Sequence, residues 1–147
     1  MDEGNSIHSL GEREAAQPAP PYDGRHLLAD LHGCSGLDDL ALIERALRAA
    51  AAAARATVLD LRLHGFGEGQ GITGVALLAE SHISIHSWPE HGYAALDFFL
   101  CGRRHDVDAA LDAVVSALAP ESVTRRVIER GYGVALSSDP VVGSDAR

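Results

Sequence analysis

The stretch Ala79-Glu80-Ser81-His82-Ile83-Ser84-Ile85-His86-Ser87-Trp88-Pro89-Glu90 sets hydroxyls, two imidazoles and carboxylates among short apolar residues. A serine hydroxyl that attacks the carbonyl preceding it turns a peptide into an ester. That shift needs donors around the oxyanion, and breaking the ester by elimination needs a base for the serine α-proton. Ser81 is a nucleophile of the right kind, His86 a base, and Thr73 a hydroxyl able to support the oxyanion. Side chains alternate along a strand, so His82, Ser84 and His86 should share one face while Ile83 and Ile85 share the other. One face is then core and the other polar. His82 and His86, with His64 or His91, also form a candidate metal set. Four residues of strand separate that pair by about 13 Å, too far to share one ion unless the strand bends.

The rest of the composition narrows the chemistry. None of the 12 basic residues is lysine, so pyridoxal phosphate has no Schiff-base anchor here and amine chemistry would need another carbonyl. A formal charge of -9 disfavours nucleic acid, which is gripped through clustered cations. Cys34 and Cys101 are far apart and in no Cys-x-x-Cys pair, which argues against a zinc knuckle or redox motif. No apolar run approaches the roughly 20 residues of a membrane span, and the first residues carry acids with no basic, then apolar, signal pattern. The expectation is a cytoplasmic globular protein with a small-molecule substrate, no membrane partner and no metal.

These residues need a scaffold, and the 147-residue chain suits one domain. Residues 1–22, polar and containing Pro18-Ala19-Pro20-Pro21, read as a disordered tail. Residues 23–136 form the domain and 137–147 a flexible end. Strands are expected over 25–31, 57–64, 72–79, 83–87, 93–101 and 122–129, from alternation and bounding turns. Along 57–64, Leu59 is expected to side with Leu61 and Leu63. Helices are expected over about 40–54, with Leu40, Ile43, Leu47, Ala50, Ala51 and Ala54 at helical spacing, and over 106–118. Four glycines between Gly65 and Gly71 make a loop. The order β-α-β-β-β-β-α-β with short middle links predicts an α+β fold: an antiparallel sheet with helices packed on one face, a two-layer sandwich.

The run ESHISIHSWPEHGYAALDFFLCG, Glu80 to Gly102, resembles the processing segment and active-site strand of the short prokaryotic S-adenosylmethionine decarboxylases. His64-Gly65-Phe66, Gly71-Ile72-Thr73-Gly74 and Gly24-Arg25-His26-Leu27-Leu28-Ala29-Asp30 extend the similarity over about 24–133. The resemblance implies cleavage between Glu80 and Ser81 into a β chain, 1–80, and an α chain, 81–147, whose terminal Ser81 becomes a pyruvoyl group. That carbonyl would form a Schiff base with the substrate amine, which removes the need for lysine. It further implies that Cys101 donates a proton to the decarboxylated carbon, Phe66 stacks on adenine and Glu90 accepts from the ribose hydroxyls. The implied assembly is a homodimer of αβ protomers whose active sites draw on both copies. Its implied product is the aminopropyl donor of spermidine synthesis.

Three positions depart from the pattern. Thr73 stands where serine is usual, Leu100 where threonine precedes the cysteine, and Gly67-Glu68-Gly69-Gln70 adds a residue beside the adenine platform. Thr73 keeps the hydroxyl that processing needs. Glu68 would suit a cationic substrate, so ornithine or arginine decarboxylation stands as an alternative. An unprocessed, non-catalytic homologue acting as an interaction module is another.

Overall fold

The computed structural model describes residues 23–102 and 104–131; the two tails expected at 1–22 and 137–147, with 132–136 of the expected domain, lie outside the described residues. The elements are β1 (Asp23–His32), α1 (Leu40–Ala53), β2 (Val58–Gly65), β3 (Ile72–Leu78), β4 (Ser81–Trp88), a 3-10 turn (Pro89–His91), β5 (Tyr93–Cys101), α2 (Val107–Leu118) and β6 (Ser122–Gly131). They occur in the expected order and build the expected α+β sandwich. The six strands form one sheet in the order β2-β3-β4-β5-β1-β6, and every neighbouring pair is antiparallel. No helix of the described residues is long and apolar enough to cross a membrane.

Period-two burial decides the layers. Leu27, Ala29 and Leu31 of β1, Ile72, Ala76 and Leu78 of β3, Ile83 and Ile85 of β4, and Ala94, Leu96, Phe98 and Leu100 of β5 are buried in one core. The helices close that core with Ile43, Leu47, Ala50 and Ala51 from α1 and Val107, Ala110, Leu111, Val114 and Leu118 from α2. Asp39 and Asp106 cap the helices, each carboxylate accepting from the backbone N–H three residues on, at 3.1 and 2.9 Å. Both helices lie on one face, and among the described residues no element covers the other face of the sheet.

Two details differ from the alternation expected. The β2–β3 register shifts between Val58 and Asp60, a bulge that turns Leu59 outward, 68% exposed, while Val58, Leu61 and Leu63 pack on the core. Leu40, at the start of α1, is 46% exposed and lies over Gly65 instead of joining the buried stripe. Leu100, unexpected before the cysteine, is 1% exposed and belongs to the core.

Ser87 ties the layers together at the end of β4. It is buried, donates from its hydroxyl to the Leu37 carbonyl at 2.7 Å and accepts from the Ile72 N–H at 2.9 Å. Gly71 makes this approach feasible, because a Cβ there would lie 2.2 Å from the Ser87 carbonyl oxygen. Backbone must move to relieve such a contact, so Gly71→Ala is expected to destabilise the fold by about 1–3 kcal/mol. A lowered denaturant midpoint with unchanged slope would register it.

Candidate active site

Ala79 and Glu80 form the two-residue turn joining β3 to β4, with Leu78 paired to Ser81. The Ala79 N–H donates to Thr57 O at 2.9 Å, which pins the turn to the segment before β2. Glu80 adopts φ 61, a left-handed conformation that costs a non-glycine residue about 1–2 kcal/mol. Strain therefore sits on the residue whose carbonyl precedes Ser81. Ser81 is 8% exposed on the helix-facing side of β4, and its Oγ accepts from the Cys101 N–H at 2.9 Å. Glu80, Ser81 and Cys101 are thus gathered at one end of the β4–β5 pair.

The other expected residues gather elsewhere. Thr73 and His86 are cross-strand partners, with Thr73 Oγ1 3.2 Å from His86 Nδ1. Both line a cavity of about 240 Å³ with Phe66, Gln70, Trp88 and Glu90. Phe66 is 62% exposed, its ring braced by His64 with centroids 4.8 Å apart at 71°. A bare aromatic face beside a carboxylate can take a flat heterocycle and its hydroxyls. Glu68 is exposed and does not line this cavity.

One protomer therefore holds two half-sites. Ser81 and His86 are five residues apart on one strand, about 17 Å at strand rise, and they point to opposite faces. The base and the nucleophile assigned from sequence do not meet within this chain.

A model of the family described as S-adenosylmethionine decarboxylase matches residues 25–131. The S-adenosylmethionine decarboxylase proenzyme of Thermomicrobium roseum is 41% identical over 108 residues, 74% of this chain and 93% of that one. The proenzyme of Methanococcus aeolicus is 44% identical over 110 residues, again 74% and 93%. The crystal structure of the adenosylmethionine decarboxylase from Aquifex aeolicus superposes with a TM-score of 0.68 at 37% identity, covering 78% of this chain and 93% of that one. The chain belongs to the S-adenosylmethionine decarboxylase family. It is an enzyme of that type.

The decarboxylase fold also carries a polar cluster that sequence reading missed. His26 and His82 flank Phe99 in register from either side. Their Nε2 atoms lie 2.8 and 3.0 Å from Asp97 Oδ1, and Ser84 donates to Oδ2. The ligand-type atoms of His26, His82 and Asp97 all fall within 4.8 Å of one another. The metal set considered from sequence is not what the fold assembles: His82 meets His26 across β5, while His86 meets Thr73. The signal available was a histidine and an aspartate on the open parity of otherwise apolar strands. Burial opposes ionisation of Asp97, but hydrogen bonds from Ser84 and His26 and the nearby imidazoles outweigh it and hold its pKa below the usual carboxylate value.

A depressed folded pKa stabilises the fold once the unfolded carboxylate is ionised, and the benefit disappears as pH falls through the folded value. Asp97→Asn should therefore lower the denaturation midpoint fully above about pH 4, with the gap to wild type closing at lower pH. A gap independent of pH would refute the assignment.

Proposed function

We propose that this chain is a precursor that cleaves itself between Glu80 and Ser81 and then decarboxylates S-adenosylmethionine in the cytoplasm, supplying the aminopropyl donor for spermidine. The observation that carries the reading is the Ser81 hydroxyl, held by the Cys101 N–H directly after a left-handed Glu80. Attack by Ser81 Oγ on the Glu80 carbonyl carbon closes a five-membered ring and breaks the peptide C–N bond, leaving an ester and a free amine. A base then removes the Ser81 α-proton, the Cβ–Oγ bond breaks, and its electron pair departs with the Glu80 carboxylate. Water replaces the nitrogen, which leaves as ammonia, and residue 81 becomes pyruvoyl. Relief of Glu80 strain favours the first step.

The residues present fit such a group, since Ser81 is sheltered and its Oγ accepts from the Cys101 N–H at the adjoining end of β5. When formed, the pyruvoyl carbonyl supplies the electron sink for loss of carbon dioxide. The Cys101 thiol then protonates the substrate carbon.

His86, Thr73, Phe66 and Glu90 reach this centre from a second copy. A two-fold dimer packed through the sheet faces opposite the helices has two equal sites, each bringing the partner subunit's Thr73, His86, Phe66 and Glu90 to the β4–β5 end of one protomer that carries Cys101, where the Glu80–Ser81 turn must swing Ser81 out from the helix-facing side to meet them. The partner subunit's His86 serves as the processing base and the partner's Thr73 supports the oxyanion. Exposed Leu28, Leu77 and Trp88 on that face gain burial in the same step. Phe66 and Glu90 share a cavity that excludes Glu68, which favours a nucleoside-bearing substrate over ornithine or arginine.

Ser81→Ala is expected to give one intact mass and no carbon dioxide release. Cys101→Ala should still be cleaved, at least in part, yet turn over slowly in single-turnover assays. The composite site makes a sharper demand: co-expressing Ser81→Ala with His86→Ala chains should restore cleavage of the His86→Ala chain, because the mixed dimer contains one complete site. No cleavage in the mixture, with dimers verified by native mass spectrometry, would place the base in the same protomer as the serine.

A further inference from the structure

The turn that carries the scissile bond borders a second recess, distinct from the aromatic cavity. It has a volume of about 620 Å³ and is lined by Arg55, Thr57, Ala79, Glu80, Arg104 and His105. Three separate segments build it: the end of α1, the β3–β4 turn and the link from β5 to α2. Backbone hydrogen bonds lock them together. The Ala54 carbonyl accepts from the Asp106 N–H at 3.3 Å and from His105 Nδ1 at 3.1 Å, while Ala79 donates to Thr57 at 2.9 Å. Arg55 takes φ 61 just past α1, a position where glycine is favoured.

The charges of this recess do not balance in the precursor. Arg55 and Arg104, neither in an ion pair or side-chain hydrogen bond among the described residues, line it with a single acidic residue, Glu80. Such gathering of cations stands out in a chain of formal charge -9. Cleavage after Glu80 adds a second negative charge at the same spot, and the count becomes two against two.

We propose that Arg55 and Arg104 form a receiving site for the α-carboxylate that self-cleavage creates on Glu80. The inference rests on the processing reading and adds its leaving-group chemistry. Elimination breaks the Ser81 Cβ–Oγ bond and sends the electron pair out on the Glu80 carboxylate. A guanidinium, permanently charged and forked, matches a carboxylate with two parallel hydrogen bonds. Charge on the departing oxygens is thereby stabilised as it develops. The same contact afterwards holds the end of the β chain away from residue 81, leaving the new carbonyl free for substrate.

The test follows chains made by cell-free synthesis, with intact-mass readout over time and neutral hydroxylamine as a probe, because hydroxylamine cuts esters and spares ordinary peptides. Arg55→Gln/Arg104→Gln should form the ester and eliminate roughly tenfold slower or worse, so a hydroxylamine-sensitive species accumulates that yields fragment 1–80 as its hydroxamate. Arg55→Lys/Arg104→Lys should recover much of the rate. Circular dichroism melting controls for folding, and Arg104→Gln alone serves if the double variant melts early. Wild-type elimination kinetics in the Gln variants would overturn the proposal. So would an uncut, hydroxylamine-resistant chain, which would place the arginines before the carboxylate exists. An uncut wild-type chain would instead defeat the processing reading, and this proposal with it.

Discussion

The alternation of β4 is the constraint on which the rest depends. Ser81, Ile83, Ile85 and Ser87 face the helices, and His82, Ser84, His86 and Trp88 face the open side. Sliding the strand by one residue would drive imidazoles into the core and strand the isoleucines outside, so core burial itself fixes which face each reactive group takes. The two-residue turn at Ala79-Glu80 fixes the register with β3, and that register brings Thr73 opposite His86. Packing and chemistry are thus set by one count of residues.

Under the roles proposed for Ser81 and His86, the same count makes the chain incomplete alone. A nucleophile and a base on opposite faces of one strand, about 17 Å apart, cannot exchange a proton in a single protomer. The open face is also where the polar groups have organised themselves, with His26, His82 and Ser84 around Asp97 and Tyr93 stacked between His32 and Trp88. A solvated sheet face has no need for such internal satisfaction, whereas the contact face of the proposed dimer does, because polar atoms removed from water must already have partners.

Most of the fold was legible because it is written in local periodicity: six strands, two capped helices and their order follow from alternation, helical spacing and turn residues. Leu59 was misplaced because a bulge inserts a residue without changing the composition, and only the partner strand reveals it. The candidate site was legible residue by residue but not as an assembly. Ser81 and Cys101 are twenty positions apart and meet through strand pairing, while the His26–Asp97–His82 group joins three strands. The arginine recess joins three segments that only tertiary hydrogen bonds bring together. Sequence spacing cannot express contacts of that kind.

The complete replacement of lysine by arginine acquires a chemical meaning beside the carbonyl proposed to form from the chain itself. A lysine amine that loses its proton condenses with carbonyls, and near a nascent pyruvoyl group it would compete with the substrate amine. Guanidinium stays protonated at any working pH and offers no such nucleophile. Cations can then stand close to the cleavage turn, as Arg55 and Arg104 do, and supply charge without becoming reactants. The chain's cationic chemistry and its proposed cofactor are compatible for the same reason that it could never have anchored pyridoxal phosphate.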